Sequence, residues 1–246
     1  MKSVLVTGAN RGLGLGLIKR IVTHTNQPKY IIGTCRDIEK AKDLQQIAAL
    51  HPHIKILNLD VRNTETFENF AREVEDIVKE DGLNLLFNNA GYSPKSTRIS
   101  FLKTEQLTET FQTNVIGPVM LTKALLPLLK KAAENSQKIF SVNSAAVINM
   151  TSVLGSIALN KEGGLYPYRC SKAALNMASK SLSLDLKKDG ILVTALHPGW
   201  VKTDMGGPGA PLQIDESVTH IMNFVENLNE THNGGFYQYD GKKLDW

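Results

Sequence analysis

Only two cysteines occur in the 246 residues, Cys35 and Cys170, with no CxxC pair. That leaves no disulfide framework and fits a reducing compartment. His51 and His53 flank Pro52, while His24, His197, His220 and His232 stand apart. None of them pairs at metal-ligand spacing on a helix face, so no metal is implied. An excess of one charge is also missing. The 28 Lys+Arg against 24 Asp+Glu give a formal charge of +4, scattered rather than gathered into a tract, which argues against a nucleic-acid partner. The longest apolar stretch, Val115 to Leu129, is interrupted by Gly117, Pro118, Thr122, Lys123 and Pro127. It is too short for a bilayer and is expected to be a core helix, so no membrane partner is implied. Met1, Lys2 and Ser3 lead at once into an apolar strand pattern, leaving no room for a signal segment; a cytosolic location is expected. With 42% hydrophobic residues, the chain can bury a sizeable core as one globular domain over residues 1–246.

Short β-rich runs alternate with stretches of helical period, the pattern of crossover units on a parallel sheet. The fold class is therefore α/β, a Rossmann-like doubly wound parallel sheet with helices on both faces. The runs are Val4 to Val6, Tyr30 to Gly33, Ile54 to Leu57, Leu83 to Phe87, Ala145 to Met150, Ile191 to Leu196 and Gly235 to Tyr239. Their near-continuous hydrophobicity is that of strands covered on both faces. Helices are expected to begin near Gly12, Ile38, Thr64, Thr104, Pro118, Tyr166 and Asp215, with Asp37, Asn63 or Ile214-Asp215 as caps. Gly206 to Pro211 is dense in glycine and proline and reads as a mobile loop, either a substrate lid at the carboxyl edge of the sheet or an ordinary surface loop.

The segment Thr7-Gly8-Ala9-Asn10-Arg11-Gly12-Leu13-Gly14 falls where the first strand gives way to the first helix. There Gly8 permits a tight turn, Gly12 a close approach of backbone to a pyrophosphate, and Gly14 the packing of helix on strand, while the helix N-terminus offers amide donors. After the second strand the chain reads Thr34-Cys35-Arg36-Asp37. Arg36 and Arg11 are planar cations suited to phosphate oxygens, which favours NADP(H) over NAD(H) as cofactor. Asp37 could contact a ribose or cap the helix that follows.

Four further motifs carry a family resemblance: Asp60-Val61, Asn88-Asn89-Ala90-Gly91, Tyr168-Arg169-Cys170-Ser171-Lys172, and Pro198-Gly199-Trp200-Val201-Lys202-Thr203-Asp204. With them the chain resembles a short-chain dehydrogenase/reductase over nearly its whole length. Within that superfamily the glycine turn, the segment Trp200 to Gly207 and the ending Gly234 to Trp246 resemble the Sniffer carbonyl reductases of insects. Reducing a carbonyl requires a hydride at carbon and a proton for the oxygen. Tyr168 is the candidate acid, and Lys172 four residues on shares its helix face, where a cation would lower the phenol's pKa. Tyr166 has no such lysine and is expected in the pocket wall.

The resemblance selects Ser152 as the hydroxyl that binds the carbonyl oxygen, in preference to Thr151, Ser144 or Ser156. It gives Lys172 a hold on the nicotinamide ribose, and Asn114 a helix bend and a water linking Lys172 to solvent. It also implies that Asp60 and Val61 contact the adenine, that Asn89, Ala90 and Gly91 wall the ribose region, and that Pro198, Gly199 and Val201 flank the nicotinamide, with Thr203 at its carboxamide. The stretch Asn160 to Gly164 is expected to form a turn lining the site. Tyr92, Ser93, Pro94, Leu159, Trp200 and Met205 suggest a pocket for an apolar carbonyl compound. Cys35 and Cys170 read as packing residues. The resemblance further raises a homodimer through the helices near Pro118 to Ala132 and Tyr168 to Lys187, beside a monomer. The function expected is an NADPH-dependent carbonyl reductase acting on an aldehyde, quinone or ketone. An alcohol dehydrogenase for a steroid- or retinoid-like lipid and a non-catalytic NADPH-sensing regulator are the alternatives.

Overall fold

The computed structural model describes residues 1–94 and 98–246. All seven expected strands form: β1 (Ser3–Val6), β2 (Tyr30–Cys35), β3 (Ile54–Asn58), β4 (Leu85–Asn88), β5 (Ala145–Met150), β6 (Ile191–His197) and β7 (Phe236–Gln238). They join in one parallel sheet in the order β3-β2-β1-β4-β5-β6-β7. The order reverses between β1 and β4, and a doubly wound sheet opens a ligand crevice at the carboxyl ends of the strands on either side of such a reversal.

The helices are α1 (Gly12–Val22), α2 (Lys42–Leu50), α3 (Phe67–Val78), α4 (Thr104–Phe111), α5 (Gly117–Asn135), α6 (Tyr166–Asp185) and α7 (Ile214–Glu226). Strand alternation divides the core in two. Val4 and Val6 join α1 and α7 on one face, whereas Leu5, Leu86, Val147 and Val193 meet α3 and α5 on the other. Both faces are covered, which is why the strands lack polar alternation. Among the described residues no helix is long and apolar enough to cross a membrane.

Two helix starts differ from expectation. Asp37 caps no α-helix: its carboxylate accepts from the Lys40 N–H at 3.3 Å, closing a separate turn, and α2 starts only at Lys42 after Ala41. Near Thr64 the chain first makes a 3₁₀ turn, Thr64–Thr66, before α3. Between α4 and α5 lies a π-helical turn, Gln112–Ile116. Pro118, four residues beyond Asn114, has no N–H to offer the Asn114 carbonyl, so a regular α-helical bond is impossible there.

Candidate active site

A cleft of about 930 Å³ opens at the carboxyl ends of β1, β2, β4, β5 and β6. Gly8, Asn10, Arg11, Gly12, Leu13 and Gly14 form one wall. A Cβ on Gly14 would stand 2.2 Å from the Gly8 carbonyl oxygen and 2.7 Å from Asn89 Nδ2, so only glycine lets α1 sit this close to the turn. The turn is stitched to the end of β4. Thr7 Oγ1 accepts from the N–H groups of Asn89 and Ala90 at 2.9 Å each, and Asn89 Nδ2 donates to the Thr7 carbonyl at 2.8 Å. This pairing holds the first amides of α1 at the cleft, where a phosphate would meet unpaired donors.

At the far end Arg36, Lys40, Asp60, Val61 and Arg62 line the same cleft. Asp60 is gripped by Arg62 through its main-chain N–H and its guanidinium, the shortest contact being 2.7 Å, which holds the carboxyl below the usual carboxylate range. Lys40 pairs with Asp37 at 2.8 Å. Arg11 reaches across the cleft mouth to Asp204 at 2.9 Å, both side chains well exposed. Lys40 and Arg62 escaped the sequence reading. For Lys40 the only available signal was a cation four residues after Arg36, and Arg62 reaches the same cleft only through the pairing of β2 with β3.

The reacting end is built on β5 and α6. Lys172 is 4% exposed, and its Nζ donates to the Met150 carbonyl at 2.8 Å. The ammonium lies 5.5 Å from the centroid of the Tyr168 ring, and burial lowers its pKa to about 8. Tyr168 lies partly exposed at the cleft. Enough protein crowds its phenol to raise the pKa to about 12, against a smaller opposing effect of hydrogen bonding with Ser152. The expected lowering of this phenol by Lys172 is therefore corrected: burial raises it, and the opposing effect comes from Ser152 rather than from the lysine. Ser152 is buried ahead of a short 3₁₀ turn, Val153–Gly155, and its Oγ accepts from the Leu154 N–H at 3.1 Å. Gly155 lets that turn press on α6, since a Cβ there would come within 2.8 Å of Lys172 Cβ. Thr151 Oγ1 fastens the end of β5 to α6 through Asn176 Oδ1 at 2.7 Å.

Asn89, Ala90, Gly91, Tyr92, Pro198, Thr203 and Met205 also line the cleft. Asn114, Ser152, Gly199 and Val201 are not among the lining residues. Val201 is buried and bridges to Leu212, while Gly199, at φ +84°, leaves room for the Leu212 side chain. That bridge, with the bond from the Trp200 indole to the Gly206 carbonyl at 2.7 Å, ties down the 206–211 segment read as a mobile loop. Ser93, Pro94, Leu159, Tyr166 and Trp200 are not among the cleft residues, nor is any part of 160–164. The latter is an exposed loop anchored by Asn160 and Arg169. Cys170, expected as buried filler, is exposed; Cys35 is buried as expected.

The family model described as short chain dehydrogenase matches residues 2–211, and the chain belongs to that family. Among solved structures, the carbonyl reductase Sniffer of D. melanogaster superposes with TM-score 0.98 at 50% identity, covering 100% of both chains. An NADPH-bound carbonyl reductase from chicken fatty liver gives 0.94 at 41%, covering 100% of this chain and 99% of that one. The C-signal protein of Myxococcus xanthus is 40% identical over 164 residues, 67% of this chain and 93% of that protein.

Proposed function

We propose that the chain is an NADPH-dependent carbonyl reductase whose substrate is an apolar aldehyde, quinone or ketone. The observation that carries this reading is the arrangement at the floor of the cleft. A buried ammonium, Lys172, lies 5.5 Å from the ring centroid of a tyrosine whose pKa is raised to about 12, at the carboxyl end of β5 within the cleft.

The residues present fit a phosphorylated dinucleotide. The Gly14 contact leaves no space for a Cβ, which brings the N-terminus of α1 against the cleft, and Arg36 and Lys40 supply cations at one end, with Arg11 on the glycine-turn wall. Arg36 and Lys40 would hold the 2'-phosphate, the α1 amides the pyrophosphate, and Lys172 the nicotinamide ribose. Bound there, the dinucleotide supplies the hydride.

The chain's own residues manage the proton. At pH 7 Tyr168 is fully protonated, as a donor to a developing alkoxide must be. Lys172, with a pKa of about 8, keeps its charge at that pH and offsets the cost of leaving a phenolate behind. Because Ser152 Oγ already accepts from Leu154, its own hydrogen is left to donate, to the Tyr168 oxygen or to a substrate carbonyl. Relatives that are carbonyl reductases support the direction of reaction. The intact Ser152, Tyr168 and Lys172 set weighs against a purely sensing role.

Loss of NADPH absorbance with a panel of aldehydes, quinones and ketones tests the reading. Turnover should be far weaker with NADH and should fall by orders of magnitude in Tyr168→Phe. A phenylalanine variant as active as the wild type refutes the assignment of the proton donor.

A further inference from the structure

We propose that Ser171 is a positioning residue of the reacting site, a role that rests on the reductase reading above. Ser171 is completely buried on α6 between Tyr168 and Lys172. Its hydroxyl donates to the Tyr168 carbonyl at 2.8 Å and accepts from Asn114 Nδ2 at 3.0 Å. The other hydrogen of that amide goes to the Tyr92 carbonyl at 2.8 Å, and Asn114 Oδ1 accepts from the Tyr92 N–H at 2.8 Å. Both amide hydrogens are thus committed. Reversing the amide would set an NH₂ group against the Tyr92 N–H, so the orientation is unique.

A serine inside a helix commonly spends its hydroxyl on a carbonyl one turn back. Ser171 does this and also holds a partner 57 residues away in sequence. One hydroxyl therefore joins the π-helical turn, the cleft-lining residue Tyr92 and the first turn of α6, which carries Tyr168. Without it, a buried Asn114 N–H loses its acceptor, and the amide keeps no hydrogen bond to α6. The consequence reaches Lys172. Asn114 Oδ1 and Lys172 Nζ both face the space over Gly91, 3.5 and 3.8 Å from the point where a Cβ would stand, so a rotated amide changes the surroundings of the ammonium. Ser171 acts through Asn114 and the α6 backbone.

The test is the steady-state kinetics of Ser171→Ala and Ser171→Thr. The alanine variant is expected to lose about ten- to a hundredfold in kcat, the scale of a small misplacement at a reacting centre. Its KM for NADPH should move by less than about threefold, and Ser171→Thr, which keeps the hydroxyl, should recover most of the loss. A folded alanine variant with kcat within about twofold of wild type overturns the proposal, as does a threonine variant no better than alanine. If Ser171→Ala does not fold, Ser171→Cys, similar in size with a much weaker donor, is judged by the same criteria. Absence of turnover in the wild-type chain defeats the reductase reading instead. Ser171 is then judged by a double-mutant cycle with Asn114→Ala read by thermal unfolding, where non-additive effects support the link and simple additivity overturns it.

Discussion

Gly14→Ala inverts the usual effect of its substitution. In an exposed helix interior, alanine is favoured over glycine by about 1 kcal/mol. Here the new methyl would stand 2.2 Å from the Gly8 oxygen, 2.8 Å from the Gly8 carbonyl carbon and 2.7 Å from Asn89 Nδ2. Neither neighbour can yield cheaply, because the Gly8 turn and Asn89 are joined through the three bonds to Thr7. α1 must therefore move out by roughly 1 Å, with overpacking of about 1–3 kcal/mol and the loss of a buried hydrogen bond worth about 1 kcal/mol, partly offset by helix propensity. A net loss of about 1–3 kcal/mol corresponds to a fall in Tm of roughly 2–12 °C for a chain of this size. The same movement withdraws the α1 amides from a bound pyrophosphate, so NADPH affinity should fall more than about tenfold. Thermal unfolding by circular dichroism and titration of NADPH fluorescence read the two effects. Gly163→Ala is the control: its φ is +66°, but nothing lies within 4 Å of its Cβ position, so it should cost some stability and leave NADPH affinity unchanged. A Gly14→Ala protein as stable as the wild type, or more so, with unaltered NADPH binding would refute the reasoning.

Lys172→Met should abolish turnover and change how stability depends on pH. The folded-state pKa of Lys172, about 8, lies below the ordinary lysine value of 10.5, so between those values the unfolded chain binds the proton more tightly. Wild-type stability should accordingly rise relative to the methionine variant as pH goes from about 8 to 10, by roughly 3 kcal/mol at most, and a parallel pair of pH–stability curves would contradict the assignment. Arg36→Ala should weaken NADPH by about ten- to a hundredfold, the worth of one charge-assisted bond to phosphate, and NADH far less. Equal losses for both cofactors in an equilibrium titration would remove Arg36 from the phosphate site.

The strands were legible because a strand covered on both faces has no polar alternation to blur its pattern. β5 runs from Ala145 to Met150 as expected, and the ends of the others shift by only one or two residues. The start of α2 was misread for a local reason. Asp37 spends its carboxylate on the Lys40 N–H and ammonium, so the apparent helix cap closes a separate turn. Tyr168 and Lys172 could be placed on one helix face by spacing alone, whereas the raised phenol pKa could not, since desolvation depends on neighbours brought in by β5 and the turn after Ser152. The pairing of Arg11 with Asp204, 193 residues apart, and the approach of Arg62 to the cleft exist only once the parallel strands are in register. Tyr166 and Leu159, expected among the loop side chains of the pocket, are exposed and absent from the cleft lining, since convergence of loop side chains is set by the tertiary fold.

The most direct test of the account is to follow deuterium from NADPH labelled at the nicotinamide carbon that donates hydride, in either face of the ring, to an aromatic aldehyde. Analysis of the reduced product by mass spectrometry should find the label at the former carbonyl carbon of the aldehyde, from one labelled face only, with product formation abolished in Tyr168→Phe. Tight NADPH binding with no labelled product from any carbonyl compound would contradict the account and favour a protein that binds the dinucleotide without using it.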